Sequence, residues 1–176
     1  MKIAGIDCGV KGSCALLDTE ADSAPVFFDI PLNDDRQIDT HALFTKLLEF
    51  EPDVVVTEFT FKPISLIQQT GEVMAVAKIL QCHLEVVAVS RWKTAVLGTN
   101  TSDKEVSITR AQALYPTAEF VKPRCRTVSP DRCEAALLAH WYLQSTTPRK
   151  RRECEPQRTG GGLPDSRQGP SPDPRP

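Results

Sequence analysis

Four acidic residues carry the chemical promise of this sequence: Asp7, Glu58, Asp131 and Glu134. Asp7 closes the apolar run Lys2–Asp7, and Glu58 closes Asp53-Val54-Val55-Val56-Thr57-Glu58. If two such strands are adjacent and parallel, both carboxylates emerge at one C-terminal sheet edge, the usual place for an α/β active site. Asp131 and Glu134 stand three apart at the head of a helical stretch and share a face. A helix packed beside the first strand then gathers all four acids. Carboxylates gathered in this way repel, and burying them without cations is costly. Hard oxygen donors suit Mg²⁺, or Mn²⁺, better than zinc. Two such ions about 4 Å apart activate water and stabilise the leaving oxygen of a phosphodiester.

Each acid also has a plainer reading. Asp7 is a natural turn former at a strand end. Asp131 follows Ser129 and Pro130, an N-cap and a first helical residue, where an acid favours the helix dipole. Glu134 alone is an ordinary exposed side chain. Glu58 is harder to dismiss, because an acid seldom ends a buried strand. Only the combination is informative.

The elements that must position these residues are legible from periodicity. Lys2–Asp7, Ser13–Asp18 and 25–30 read as strands joined by short connections, with Gly9 and Gly12 bracketing the first turn, which predicts an antiparallel meander. Ile38, Leu43, Phe44, Leu47 and Leu48 recur at helical steps up to Pro52. After the strand 53–58, Leu66, Ile67, Thr70, Val73, Met74, Ala77 and Leu80 form one stripe of a longer helix, and 84–89 is a fifth strand. Helices follow over 91–97, 102–115 and 130–144. Helices between strands three, four and five imply parallel crossovers. The expected fold is therefore α/β, a five-stranded mixed sheet (three antiparallel strands plus two parallel) flanked by helices.

The formal charge of −2 hides a split. Residues 1–90 hold 6 basic and 14 acidic side chains, whereas 91–132 hold 8 basic and 4 acidic. Such asymmetry says more about partners than the total does. No apolar run approaches the ~20 residues of a membrane span. An acid at position 7 also interrupts the apolar stretch that an export signal needs, so a cytoplasmic protein is expected. Six cysteines (8, 14, 82, 125, 133, 154) form no C-x-x-C pair and are expected to be reduced, with Cys8 and Cys14 as small buried hydrophobes. The three histidines do not fall at zinc-finger spacing. From Pro148 the composition changes to 7 Pro and 4 Gly in 29 residues, opened by Arg149-Lys150-Arg151-Arg152. Residues 1–147 are expected to form the domain and 148–176 a disordered basic tail.

With these pieces in order, the sequence resembles the RuvC-type Holliday junction resolvases of the ribonuclease H-like superfamily. Ile3-Ala4-Gly5-Ile6-Asp7-Cys8-Gly9-Val10-Lys11-Gly12 is similar to their opening strand and turn, and Val54–Glu58 to their second acidic strand. Trp92-Lys93-Thr94-Ala95-Val96-Leu97-Gly98, followed by Asp103-Lys104-Glu105, resembles their K-x-x-x-x-G segment and the basic residue after it. Pro130–Ala139 is similar to their closing helix, D-x-x-[DE]-A-x-x-L, and the G-x-x-G-x-x-A form of the first motif with Glu134 as last acid resembles most the compact phage-type and organellar members. The resemblance implies a homodimer that makes paired nicks in four-way DNA junctions with two Mg²⁺ (or Mn²⁺) ions per site. It makes Asp7, Glu58, Asp131 and Glu134 metal ligands and places Lys104 near the scissile phosphate. Phe61 falls where the family presents an aromatic near the junction centre, with local core packing as the alternative. Lys93, Arg110 and Lys122 are further candidates for DNA contact, with solvated surface charge the plainer reading of Arg110 and Lys122. A bacterial or phage origin is implied, an organelle being the alternative.

The sequence departs from the pattern in two places. Cys8 stands where the family usually has Pro, which alters turn rigidity more than chemistry. Glu replaces the more familiar Asp at 134 and lengthens the carboxylate's reach. Three rival readings stay in view. One is a ribonuclease H-like nuclease acting on another branched DNA or on RNA. Another is an inactive junction-binding module. The third is a sugar-kinase fragment, suggested by Gly5-Ile6-Asp7-Cys8-Gly9, but such kinases need two lobes and a second phosphate loop, for which a body of this length has no room.

Overall fold

The computed structural model describes residues 1–21 and 23–147. The expectation of a disordered tail over 148–176 lies outside the described residues. Ten elements follow in the order β1 (Lys2–Asp7), β2 (Ser13–Asp18), β3 (Val26–Asp29), α1 (Thr40–Phe50), β4 (Val54–Phe59), α2 (Ile64–Ile79), β5 (His83–Ala88), α3 (Val89–Leu97), α4 (Lys104–Leu114) and α5 (Pro130–Thr146). The sheet order is β3-β2-β1-β4-β5. β1 pairs antiparallel with β2 and β2 with β3, while β1, β4 and β5 run parallel. The expected mixed sheet is present, with the crossover helices where the periodicity put them.

Some boundaries differ from their expected positions: Val89, expected in the fifth strand, opens α3, and β4 runs one residue past Glu58 to Phe59. Ile38, expected in the first helix from its spacing, lies before it, bridged to Leu32. The Asp39 side chain caps α1, accepting from the Ala42 N–H at 3.0 Å, and this cap sets the start of the helix.

Strand residues alternate between two cores, as the period of two demands. Ala4, Ile6 and Val55 join Leu43, Leu47, Val73 and Ala77 beneath α1 and α2. Ile3, Val54 and Val56 join Trp92, Ala135, Leu138 and Ala139 beneath α3 to α5. The same alternation carries Asp7, four residues on from Ile3, and Glu58, two on from Val56, to the α5 face. Val54, Val55 and Val56 are fully buried or nearly so, as a strand covered on both faces requires.

Gly5 decides how close α5 can come. A Cβ there would lie 2.2 Å from the Ala135 carbonyl oxygen and 2.8 Å from the Ala139 nitrogen. Any larger residue would push the helix off β1. α5 itself is capped by Ser129, whose hydroxyl accepts from the Arg132 N–H, with Pro130 in its first turn. No helix among the described residues is long and apolar enough to cross a membrane. Five cysteines, 8, 14, 82, 125 and 133, are free thiols, of which Cys14 is buried as expected and Cys8 half-buried just beyond β1.

Candidate active site

The C-terminal ends of β1 and β4 are adjacent: Ile6 is paired with Thr57, so Asp7 and Glu58 follow side by side. The Thr57 hydroxyl, fully buried, donates to the Ile6 carbonyl at 3.1 Å and pins the two strand ends together. Because α5 crosses β1 at Gly5, Asp131 and Glu134 arrive over the same edge. All four acids predicted to converge do so closely enough to act on one another electrically. Burial, then the Glu58 and Glu134 charges, push the Asp7 carboxyl well above the usual carboxylate range, Asp131 adding to the effect and Lys104 offsetting part of it. Burial likewise raises Glu58, by more than its hydrogen bond from Trp92 takes back.

Two of the carboxylates are clamped. The Trp92 indole N–H donates to Glu58 Oε1 at 2.6 Å. Glu134, only 3 % exposed, receives Lys93 Nζ at 3.1 Å and the Ser107 hydroxyl at 3.2 Å on Oε1, and Lys104 Nζ on Oε2. Burial alone would raise the Glu134 carboxyl, but the two ammonium groups outweigh it and hold it below its ordinary value. Lys104 is shifted the opposite way: burial would lower it, but Glu134, with Asp7 and Asp131 adding, outweighs that and raises it.

Lys104 thus stands within the acid cluster, its side chain about half exposed. Lys93 differs from a surface phosphate contact: it is 6 % exposed and bonded to Glu134, so its charge is spent inside the site. Lys122 borders the cluster, 3.9 Å from Asp131 and 3.1 Å from Asp29, while donating to the Lys11 carbonyl at 2.6 Å. It ties the β1–β2 turn to the head of α5. A cavity of about 400 Å³ opens between that turn, Asp29, Lys122 and Asp131. Arg110 is not brought to the acids; its guanidinium donates to the Val96 carbonyl at 3.1 Å, closing the end of α3. Phe61 is 77 % exposed, which excludes the core-packing alternative, and its ring stands edge-on to Phe59.

Several contributors gave little or no sign in the sequence. Trp92 and Ser107 are two, and Asp29 and Arg132 are others. The Arg132 guanidinium donates to the Glu119 and Val121 carbonyls at 3.0 and 2.8 Å and so holds the loop ahead of α5. Trp92 alone had a signal, its place beside Lys93 in the K-x-x-x-x-G segment; Ser107 is one of many helix serines.

Among the described residues no three acidic, histidine or cysteine side chains have their donor atoms arranged around one point as a finished metal cage. Both Glu134 oxygens are engaged by lysines, whereas Glu58 Oε2 accepts no hydrogen bond from the described residues. The residues nevertheless fit a divalent cation. Asp7 is a nearly buried carboxylate surrounded by further carboxylates, and every candidate donor is a hard oxygen.

No family model and no curated protein matches the sequence. Solved structures do match in shape. The RuvC of Thermus thermophilus superposes with a TM-score of 0.60 at 18 % identity, over 82 % of this chain and 96 % of that one, alone and in complex with a Holliday junction substrate. The fowlpox virus Holliday junction resolvase superposes with a TM-score of 0.54 at 14 % identity, over 82 % of this chain and 99 % of that one. The chain therefore has the ribonuclease H-like fold, in an arrangement it shares with these two proteins.

Proposed function

We propose that the protein is a divalent-metal-dependent endonuclease that nicks four-way DNA junctions in recombination or repair and acts as a homodimer. The observation that carries this reading is the convergence of Asp7, Glu58, Asp131 and Glu134 over the parallel strand ends of a fold shared with junction resolvases. In this reading Asp7, Glu58 and Asp131 hold Mg²⁺, joined by Glu134 when its lysines release it. The bound cation supplies activation of water and stabilisation of the departing 3′ oxygen. Lys104, the most exposed ammonium of the cluster, offers a point charge to the phosphate under attack. Phe61 presents a free aromatic face on which an unpaired base can stack. Two copies related by a two-fold axis account for paired cuts.

A nicking assay tests the proposal. A labelled four-way junction, a plain duplex and an RNA–DNA hybrid are each incubated with the protein in Mg²⁺ and in EDTA. Selective junction nicking that needs Mg²⁺, and that is lost in Asp7→Asn and Glu58→Gln while junction binding survives, is expected. Preference for the hybrid would assign a ribonuclease. Tight junction binding without nicking in Mg²⁺ or Mn²⁺ would assign a binding module.

A further inference from the structure

We infer that Trp92 is a positioning residue for Glu58, setting which carboxylate oxygen is offered to the divalent cation. The inference rests on the metal-site reading above. An indole has one polar hydrogen and no acceptor, so a buried tryptophan needs an acceptor and can serve only one. Trp92 is fully buried, in the core beneath α5, and its single N–H is spent on Glu58 Oε1 at 2.6 Å. That bond leaves Oε2 as the oxygen of Glu58 free for a cation. A long carboxylate side chain on a strand end has several rotamers, and a ring locked in the core selects among them.

The placement follows from the chain path. β5 lies parallel to β4 and leads directly into α3, which folds back over the α5 face. Its first turn delivers Trp92 to Glu58 and the next residue, Lys93, to Glu134. Lys93 Nζ also lies 5.4 Å from the centre of the Trp92 ring, so the two clamps brace each other. One helical turn therefore orients a carboxylate from β4 and one from α5.

Trp92→Phe keeps an aromatic ring and removes the N–H. Metal partners of this outer kind change affinity by roughly 10- to 100-fold when removed. The expected result is a 10- to 100-fold rise in the Mg²⁺ concentration that half-saturates both nicking and the Mg²⁺-induced rise in Tm. Junction affinity in EDTA stays at the wild-type value, and nicking recovers at saturating Mg²⁺. A merely structural role predicts a lower Tm at every Mg²⁺ concentration with no change in either midpoint, and that result overturns the inference.

A measurement on a protein with Trp92 intact covers the case in which the variant does not fold. In ¹⁵N-labelled protein the two indole N–H signals are assigned with Trp141→Phe. Substoichiometric Mn²⁺ is expected to broaden the Trp92 signal selectively. Equal or absent broadening in a protein that nicks in Mg²⁺ overturns the inference alone. Wild-type protein that neither nicks nor responds to Mg²⁺ overturns the metal-site reading, and this inference with it.

Discussion

Replacing Asp7 by Asn is expected to abolish nicking while making the metal-free protein more stable. In the absence of cations the Asp7 carboxylate is nearly buried beside other carboxylates, and its folded-state affinity for a proton is raised accordingly. An isosteric neutral amide relieves both desolvation and repulsion, by about 2 kcal/mol. At 2–4 °C per kcal/mol for a chain of this size, Tm in EDTA should rise by about 4–8 °C. Mg²⁺ at a hundred times its dissociation constant stabilises the wild type by about 2.7 kcal/mol, or about 5–11 °C, and should leave Asp7→Asn nearly unmoved. The pH dependence has a definite sign. A carboxyl raised in the folded state holds its proton where the unfolded chain has lost it, so its penalty is absent below about pH 4, the ordinary value for Asp, and grows from there as pH rises to the raised folded value. The Tm advantage of Asp7→Asn in EDTA should therefore shrink as pH falls from 7 toward 4. Differential scanning fluorimetry with and without Mg²⁺ measures all three quantities. A variant less stable than wild type in EDTA, or an equal Mg²⁺ shift in both proteins, would refute the cation-site argument.

Three further outcomes test other parts of the reading. Gly5→Val drives a side chain into the backbone of α5, whose carbonyl cannot give way, and should lower stability in urea melts by about 3 kcal/mol. Lys104→Ala should slow single-turnover nicking about 100-fold with junction affinity changed by no more than a few-fold, as its proposed place at the reacting phosphate requires. Phe61→Ala should weaken four-way junction binding by about 1–3 kcal/mol in gel-shift titrations, leaving duplex affinity and Tm unchanged.

The strand and helix pattern was readable because apolar residues repeat with a period of two or near four, and a covered strand must be apolar throughout. That reading reached the mixed sheet and the two acids at one C-terminal sheet edge, and the paired register then put Asp7 and Glu58 on one face. It missed the start of α1, where a single capping aspartate outweighed an apolar residue at helical spacing. The resemblance to resolvases named all four acids, but no periodicity states how near a helix lies to a strand. Only packing decides that, and here it turns on the missing side chain of Gly5. The contacts of the basic residues likewise came only from tertiary structure. Lys93 and Lys104 bond to Glu134, Lys122 bridges the β1–β2 turn to α5, and Arg110 closes the end of α3. A lysine in a sequence is only a charge on a flexible stem. Whether it meets solvent, a phosphate or a carboxylate depends on what residues distant in the chain bring to it, as does the burial of Trp92 against Glu58.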